Sequence, residues 1–123
     1  MIVIDADPAY TLPAAITLVI VEAADVAFAL QADTVAQVTA QVPVTPLPLV
    51  PAFVDGLVGL GGGILPQIDL RRRLGLSPPF PADLSELLVM VATDGNYALR
   101  VDHVIALITI ERDTIQVFDH HSG

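Results

Sequence analysis

The chain has 123 residues, 54% of them hydrophobic and 15% charged, which is enough apolar material for one ordinary hydrophobic core and too much for a disordered chain. Fourteen Asp and Glu stand against five Arg, with no Lys, for a formal charge of -9, and that balance repels nucleic-acid backbones and anionic membrane surfaces. The absence of cysteine rules out disulfides, thiolate metal sites and cysteine nucleophiles together.

Asp5 and Asp7 fall where an export signal would carry cations, so a cytoplasmic location is expected. The apolar stretch at 13–21 stops at Glu22, short of the roughly 20 residues needed to cross a bilayer, and no direct membrane insertion is expected. Ten prolines and eight glycines divide the rest into runs of five to eight residues rich in Val, Ile and Leu, a pattern that predicts strands. Runs at 16–21 and 26–30, linked across 22–25, read as a hairpin with Val26, Phe28 and Leu30 on one face. The run at 34–40 alternates again, although neither of its faces is strongly polar.

Four prolines make 42–51 an extended connector, and Pro51 is placed to start one helical turn over 52–55. Two strands around a tight turn at Gly61, Gly62 and Gly63 come next. Asp69 as N-cap, three arginines and the terminator Gly75 then predict a helix of one or two turns. After a proline-rich stretch at 77–81, strands at 87–92 and 97–101 bracket the hairpin signal Asp94-Gly95. Runs at 104–110 and 114–118 complete the strands, and a single domain over 1–123 is expected.

Chemistry-bearing constellations are weak. His103 stands between Asp102 and Val104, and His120 and His121 lie in a tail; a zinc site would need further converging ligands. Asp5 with Asp7, and Glu111 with Asp113, read as solvated ends and turns. The glycine run 59–63 leads into a strand and is not followed by Lys, unlike a phosphate-binding loop. Arg71, Arg72 and Arg73 form the basic cluster, read either as the cationic end of a helix or as a contact for a partner's acidic patch. No nucleophile, base and oxyanion donor present themselves as a set, so no catalytic residue, metal or cofactor is expected and a binding module is favoured.

The stretch Phe53-Val-Asp-Gly-Leu-Val-Gly-Leu-Gly-Gly-Gly-Ile-Leu-Pro-Gln-Ile-Asp-Leu resembles the CheW-like domain signature F-[IV]-x-G-[VI]-x-N-L-R-G-x-[IV]-x-P-[VI]-[IV]-D-L, with no gap. Upstream, Val26-Ala-Phe-Ala-Leu and Asp33-Thr-Val-Ala-Gln-Val are similar to the family's "yALpi…V.eV". Downstream, Asp94-Gly and Leu99-Arg-Val-Asp-His-Val-Ile-Ala-Leu are similar to "dG…gL.VDeV.gv". The resemblance covers about 16–110.

It implies a non-catalytic adaptor of bacterial chemosensory signalling, built from two small five-stranded, SH3-like β-barrels with one or two short helices. Its implied partners are the regulatory domain of a CheA-type histidine kinase and the cytoplasmic tip of a chemoreceptor. Partner-binding positions implied by the resemblance are Val35, Gln37, Gly56, Leu60, Gly61, Gly62, Arg71 and Arg72. Gly59-Leu60-Gly61-Gly62 replaces Asn-Leu-Arg-Gly, which removes a guanidinium, and Gln37 stands where Glu is frequent. Family members continue beyond the matched strands, so an incomplete second barrel is expected. The alternative is a diverged or truncated module that binds another partner or pairs with itself as a homodimer through open strand edges.

Overall fold

The computed structural model describes residues 2–6, 14–76, 85–111 and 115–119; the stretch at 77–81, Asp7, Asp113, His120 and His121 lie outside the described residues. Among the described residues the elements are β1 (Ile2–Ala6), β2 (Ala15–Ala23), β3 (Val26–Gln31), a 3-10 turn (Ala32–Thr34), β4 (Val35–Ala40), β5 (Val54–Leu60), β6 (Gly63–Asp69), α1 (Leu70–Arg73), β7 (Glu86–Met90), β8 (Tyr97–Val101), β9 (His103–Glu111) and β10 (Ile115–Asp119). The fold is all-β, as the short branched runs predict.

Five strands form one sheet in the order β4-β7-β8-β6-β5. Of the others, β3-β2-β9 form an antiparallel sheet and β1 pairs with β10 in parallel. The second five-strand set expected from the family is thus divided three and two, with no pairing between the two parts among the described residues.

Two of the three predicted hairpins close on two-residue, left-handed turns that follow the twist of their strands. One uses Ala24 and Asp25 at φ 51 and 65, tighter than the four-residue link expected; the other uses Gly61 and Gly62 at φ 58 and 79. The Asp94-Gly95 hairpin pairs β7 with β8, but the strand stops at Met90, so the connection is wider than its turn dipeptide suggests. The expected helical turn over 52–55 is a correction. Val54 N–H donates to the Pro51 carbonyl at 3.0 Å, closing a β-turn, and Val54 already pairs with Ile68 as the first residue of β5. Pairing with β6 outweighs the helix-starting preference of proline.

The five-stranded sheet curls, and the segment after β4 covers its β5 edge. Thr45 N–H donates to the Leu57 carbonyl and Leu57 N–H to the Thr45 carbonyl, each at 2.8 Å. This crossing runs directly over Gly56. A Cβ there would lie 2.2 Å from the Thr45 carbonyl oxygen, and the residue holds φ +147. Gly56 therefore belongs to the seam of the sheet, where it is buried, and offers a partner no accessible side.

One core joins the two larger sheets. Val19 and Val21 of β2 pack with Leu88 and Met90 of β7 and Leu99 and Val101 of β8, flanked by Phe28, Leu30 and Val35. Strands β2 and β7 thus present apolar faces to the same interior even though they hydrogen-bond in different sheets. Replacing Gly56 by Ala should destabilise the protein by about 3 kcal/mol, through left-handed strain and overlap with the Thr45 carbonyl. Gly59→Ala, whose added methyl meets nothing within 4 Å, should stay within about 0.5 kcal/mol of the parent. Urea unfolding of the two variants checks the contrast.

Candidate partner-binding surface

Two residues flanking a β-bulge open the site. Val35 and Gln37 face consecutive β7 residues, Met90 and Val89, so Ala36 is the extra residue between them. A bulge of this kind re-aims the side chains on either side of it. Val35 stays half-buried against the core. Gln37 points outward, and its Oε1 lies 3.9 Å from the position a Cβ on Gly61 would occupy. The sheet's curl therefore brings β4 beside the glycine turn, with Gly61 and Gly62 exposed and Leu60 half-buried at its base. Just beyond the turn Ile64 is 74% exposed, adding an apolar contact surface that the sequence reading did not single out. Gly61 holds a left-handed conformation, so the arginine found here in the family signature would cost about 1–2 kcal/mol in this backbone.

The arginines divide their work inside the molecule. Arg71 is 8% exposed, and its Nε donates to Asp102 Oδ1 at 2.7 Å while its second terminal nitrogen pairs with Asp102 Oδ2. That corrects its expected place at the partner surface: the guanidinium faces inward because a buried carboxylate requires it. Arg72 keeps a half-exposed side chain, with Nε 3.8 Å from Asp69 Oδ2. The Arg73 guanidinium sits 5.3 Å from the centre of the Phe53 ring, in cation–π range. Asp69 caps α1 as predicted, accepting from the N–H groups of Arg71 and Arg72.

Asp102 was not among the expected functional positions, yet it gathers three elements. It lies between β8 and β9, pairs with Arg71 of α1, and accepts the Ala24 N–H at 3.0 Å. That last bond holds the left-handed turn between β2 and β3. Burial alone would raise the Asp102 carboxyl, but the hydrogen bonds from Arg71 and Ala24 outweigh it, and the group titrates below its ordinary value of 3.8. The stabilisation is therefore complete above pH 3.8 and fades as the pH falls through the lower folded value.

A second buried cluster joins Gln41, Asp55, Gln67, Ser85 and Arg100. Gln67, 1% exposed, donates from Nε2 to Asp55 Oδ2 at 2.7 Å and to Gln41 Oε1 at 3.3 Å. Gln41 Nε2 donates back to Gln67 Oε1 at 2.8 Å. Arg100 Nε donates to Ser85 Oγ at 2.9 Å, and Ser85 Oγ donates to Gln41 Oε1 at 3.1 Å. One signal for this cluster was present in the sequence: Gln67 occupies a position where the signature carries Val or Ile. Among the described residues no group of three or more His, Asp or Glu is arranged to hold a metal, and no helix is long and apolar enough to cross a membrane.

Asp102→Asn should leave Arg71 buried without its counter-charge and cost about 3–5 kcal/mol at neutral pH. The difference from the parent should shrink as the pH falls below 3.8 toward the lower folded value, because the unfolded parent takes up the proton first. Denaturant titrations at pH 7 and pH 3 measure it.

The family profile for the CheW-like domain matches residues 17–121. A probable chemotaxis protein CheW of Rhizobium etli is 32% identical over 92 residues, covering 75% of this chain and 59% of that protein. The chemotaxis protein CheW of Rhizobium meliloti is 30% identical over the same proportions. The match thus spans less than two thirds of the length of either relative. The crystal structure of the scaffolding protein TtCheW from Thermoanaerobacter tengcongensis superposes with a TM-score of 0.74 at 28% identity, covering 80% of this chain and 67% of that one. With the profile spanning most of the sequence and the strand arrangement shared with a solved member, the chain belongs to the CheW-like domain family.

Proposed function

We propose that the protein is a non-catalytic, cytoplasmic adaptor of a bacterial chemosensory pathway, coupling the regulatory domain of a CheA-type histidine kinase to the cytoplasmic tip of a chemoreceptor. The observation that carries this reading is the approach of Gln37 to the Gly61 turn, which joins separate signature blocks into one outward face. The receptor contact is assigned to that face, with Val35, Leu60, Gly62 and Ile64 completing it and Arg72 at some distance as an accessible cation. The kinase contact is assigned to apolar side chains and strand edges. The chain carries only 15% charged residues, so burial supplies more of such a contact than ion pairs do.

Binding to a kinase regulatory domain, followed by calorimetry, should change little between low and moderate salt. Gln37→Ala combined with Ile64→Asp should weaken binding to a receptor-tip fragment roughly tenfold and leave kinase binding unchanged. Loss of both interactions together, or of neither, counts against this division of surfaces.

Self-association is supported by a separate observation. Among the described residues strand β9 is an edge of its sheet, and Ile105 and Leu107 on one side of it are 52% and 69% exposed. An edge strand carrying apolar residues is a template for a second strand. Sedimentation at micromolar concentration should show a dimer that Leu107→Glu converts to monomer.

A further inference from the structure

The five-stranded sheet presents a second exposed surface at the end opposite the glycine turn. Strands β5 and β6 run side by side for seven residues each, about 20 Å, and Gly61 and Gly62 join them at one end. At the other end Val54 begins β5, Asp69 closes β6 and α1 follows. There the chain that enters β5 lies against the helix. The Ala52 carbonyl accepts from an Arg72 terminal nitrogen at 3.4 Å, the Phe53 carbonyl accepts the Asp69 N–H at 2.8 Å, and the Phe53 ring carries the Arg73 guanidinium.

Two features of this end point outward. Leu49 holds φ 62, a left-handed conformation that costs a leucine energy and a glycine almost none, yet its side chain is fully exposed. A leucine there gains nothing from burial within its own chain. It stands three residues before Ala52, so at most about 11 Å of chain separates it from the contact with α1. The second feature is charge. Arg71 and Arg100 are buried, which makes Arg72 and Arg73 the exposed arginines among the described residues, in a chain with no Lys and a formal charge of -9. The carboxylate nearest Arg72, that of Asp69, also faces Arg100, while Arg73 is held by a ring instead of a carboxylate. Leu74, next in the chain, is exposed as well.

We infer that this end of the sheet docks an acidic amphipathic helix of a partner protein. The carboxylates of the helix meet Arg72 and Arg73, and its aliphatic face packs on Leu49 and Leu74. A strand fits less well, because the backbone here is engaged: Thr45 and Leu57 pair with each other, and the carbonyls of Ala52 and Phe53 already accept. A helix satisfies its own backbone and docks through side chains alone. The turn presents Leu49 from a fixed backbone, which reduces the ordering cost of binding. Elsewhere the net charge repels an acidic segment, so the contact is confined to this end. It stands about 20 Å from the receptor face and depends on charge, unlike the kinase contact, so it rests on neither assignment.

The test is fluorescence anisotropy of the full chain with a labelled synthetic helical peptide that carries a leucine stripe flanked by glutamates. Two control peptides replace all its glutamates by glutamine or all its leucines by serine. The acidic peptide should bind saturably with a dissociation constant below about 100 μM at low salt, each control at least roughly tenfold more weakly, and added salt should weaken the contact. Leu49→Gly should weaken binding roughly tenfold while its urea midpoint stays level or rises, because glycine relieves the left-handed strain. Arg72→Gln combined with Arg73→Gln should weaken it at least as much and remove most of the salt dependence. Absence of saturable binding up to about 1 mM overturns the proposal. So does equal binding of the three peptides, or unchanged binding to either folded variant. Loss of a parent dimer in both variants, with no peptide binding to the parent, would assign the surface to a second copy of the chain and overturn it too.

Discussion

The buried pairing of Arg71 with Asp102 is the constraint on which the arrangement of the two larger sheets depends. Arg71 follows β6 of one sheet, Asp102 stands where the chain leaves β8 for β9 of the other, and Ala24 donates to the same carboxylate from the turn between β2 and β3. Three backbone directions are thus tied to one carboxylate. Asp102 N–H also donates to the Glu22 carbonyl at 2.9 Å, so both its backbone and its side chain hold the β2–β3 hairpin. A charge pair in an interior is a poor source of net stability. Its value here is geometric: it fixes the relative placement of faces that apolar packing by itself orients less sharply.

That placement gives the core its form. Val19 and Val21 reach across to Leu88, Leu99 and Val101, and this packing is possible only while β2 sits opposite β7 and β8. The same curl that closes the five-stranded sheet over Gly56 brings Gln37 to the glycine turn. Packing, closure and the candidate receptor face are consequences of one another.

Local patterns in the sequence are legible where local forces decide. Alternation and glycine turns identified the hairpins, and Asp69 with Gly75 identified the short helix, because turn and cap preferences act within a few residues. At 52–55 the local preference lost to pairing with β6. The bulge at Ala36 was invisible for a similar reason, since a bulge is defined by what the partner strand does. Arg71 shows the limit most clearly. Three consecutive arginines on a short helix look like one charged face, but α1 sends Arg71 into the interior and leaves Arg72 at the surface. Which of them meets a buried carboxylate depends on Asp102, far away in the sequence. The signature blocks contain the glycine turn, Gln37 and Ile64, but an apolar strand position gives no sign that Ile64 is exposed, and for the buried polar cluster Gln67 is the sole departure from an apolar position.

The central strand of the three-stranded sheet also sets the timing of biosynthesis. Thr17 of β2 meets Thr109 of β9 across a separation of 92 residues, so β2 leaves the ribosome long before its second neighbour exists. At usual translation rates the interval is on the order of 10 s. During it the β2–β3 hairpin carries an unpaired inner edge together with Val19 and Val21, which end in the core. The nascent chain therefore presents a sticky ribbon for far longer than a hairpin takes to form, about 1–10 μs, and escape from aggregation at that stage falls to whatever shields a nascent chain.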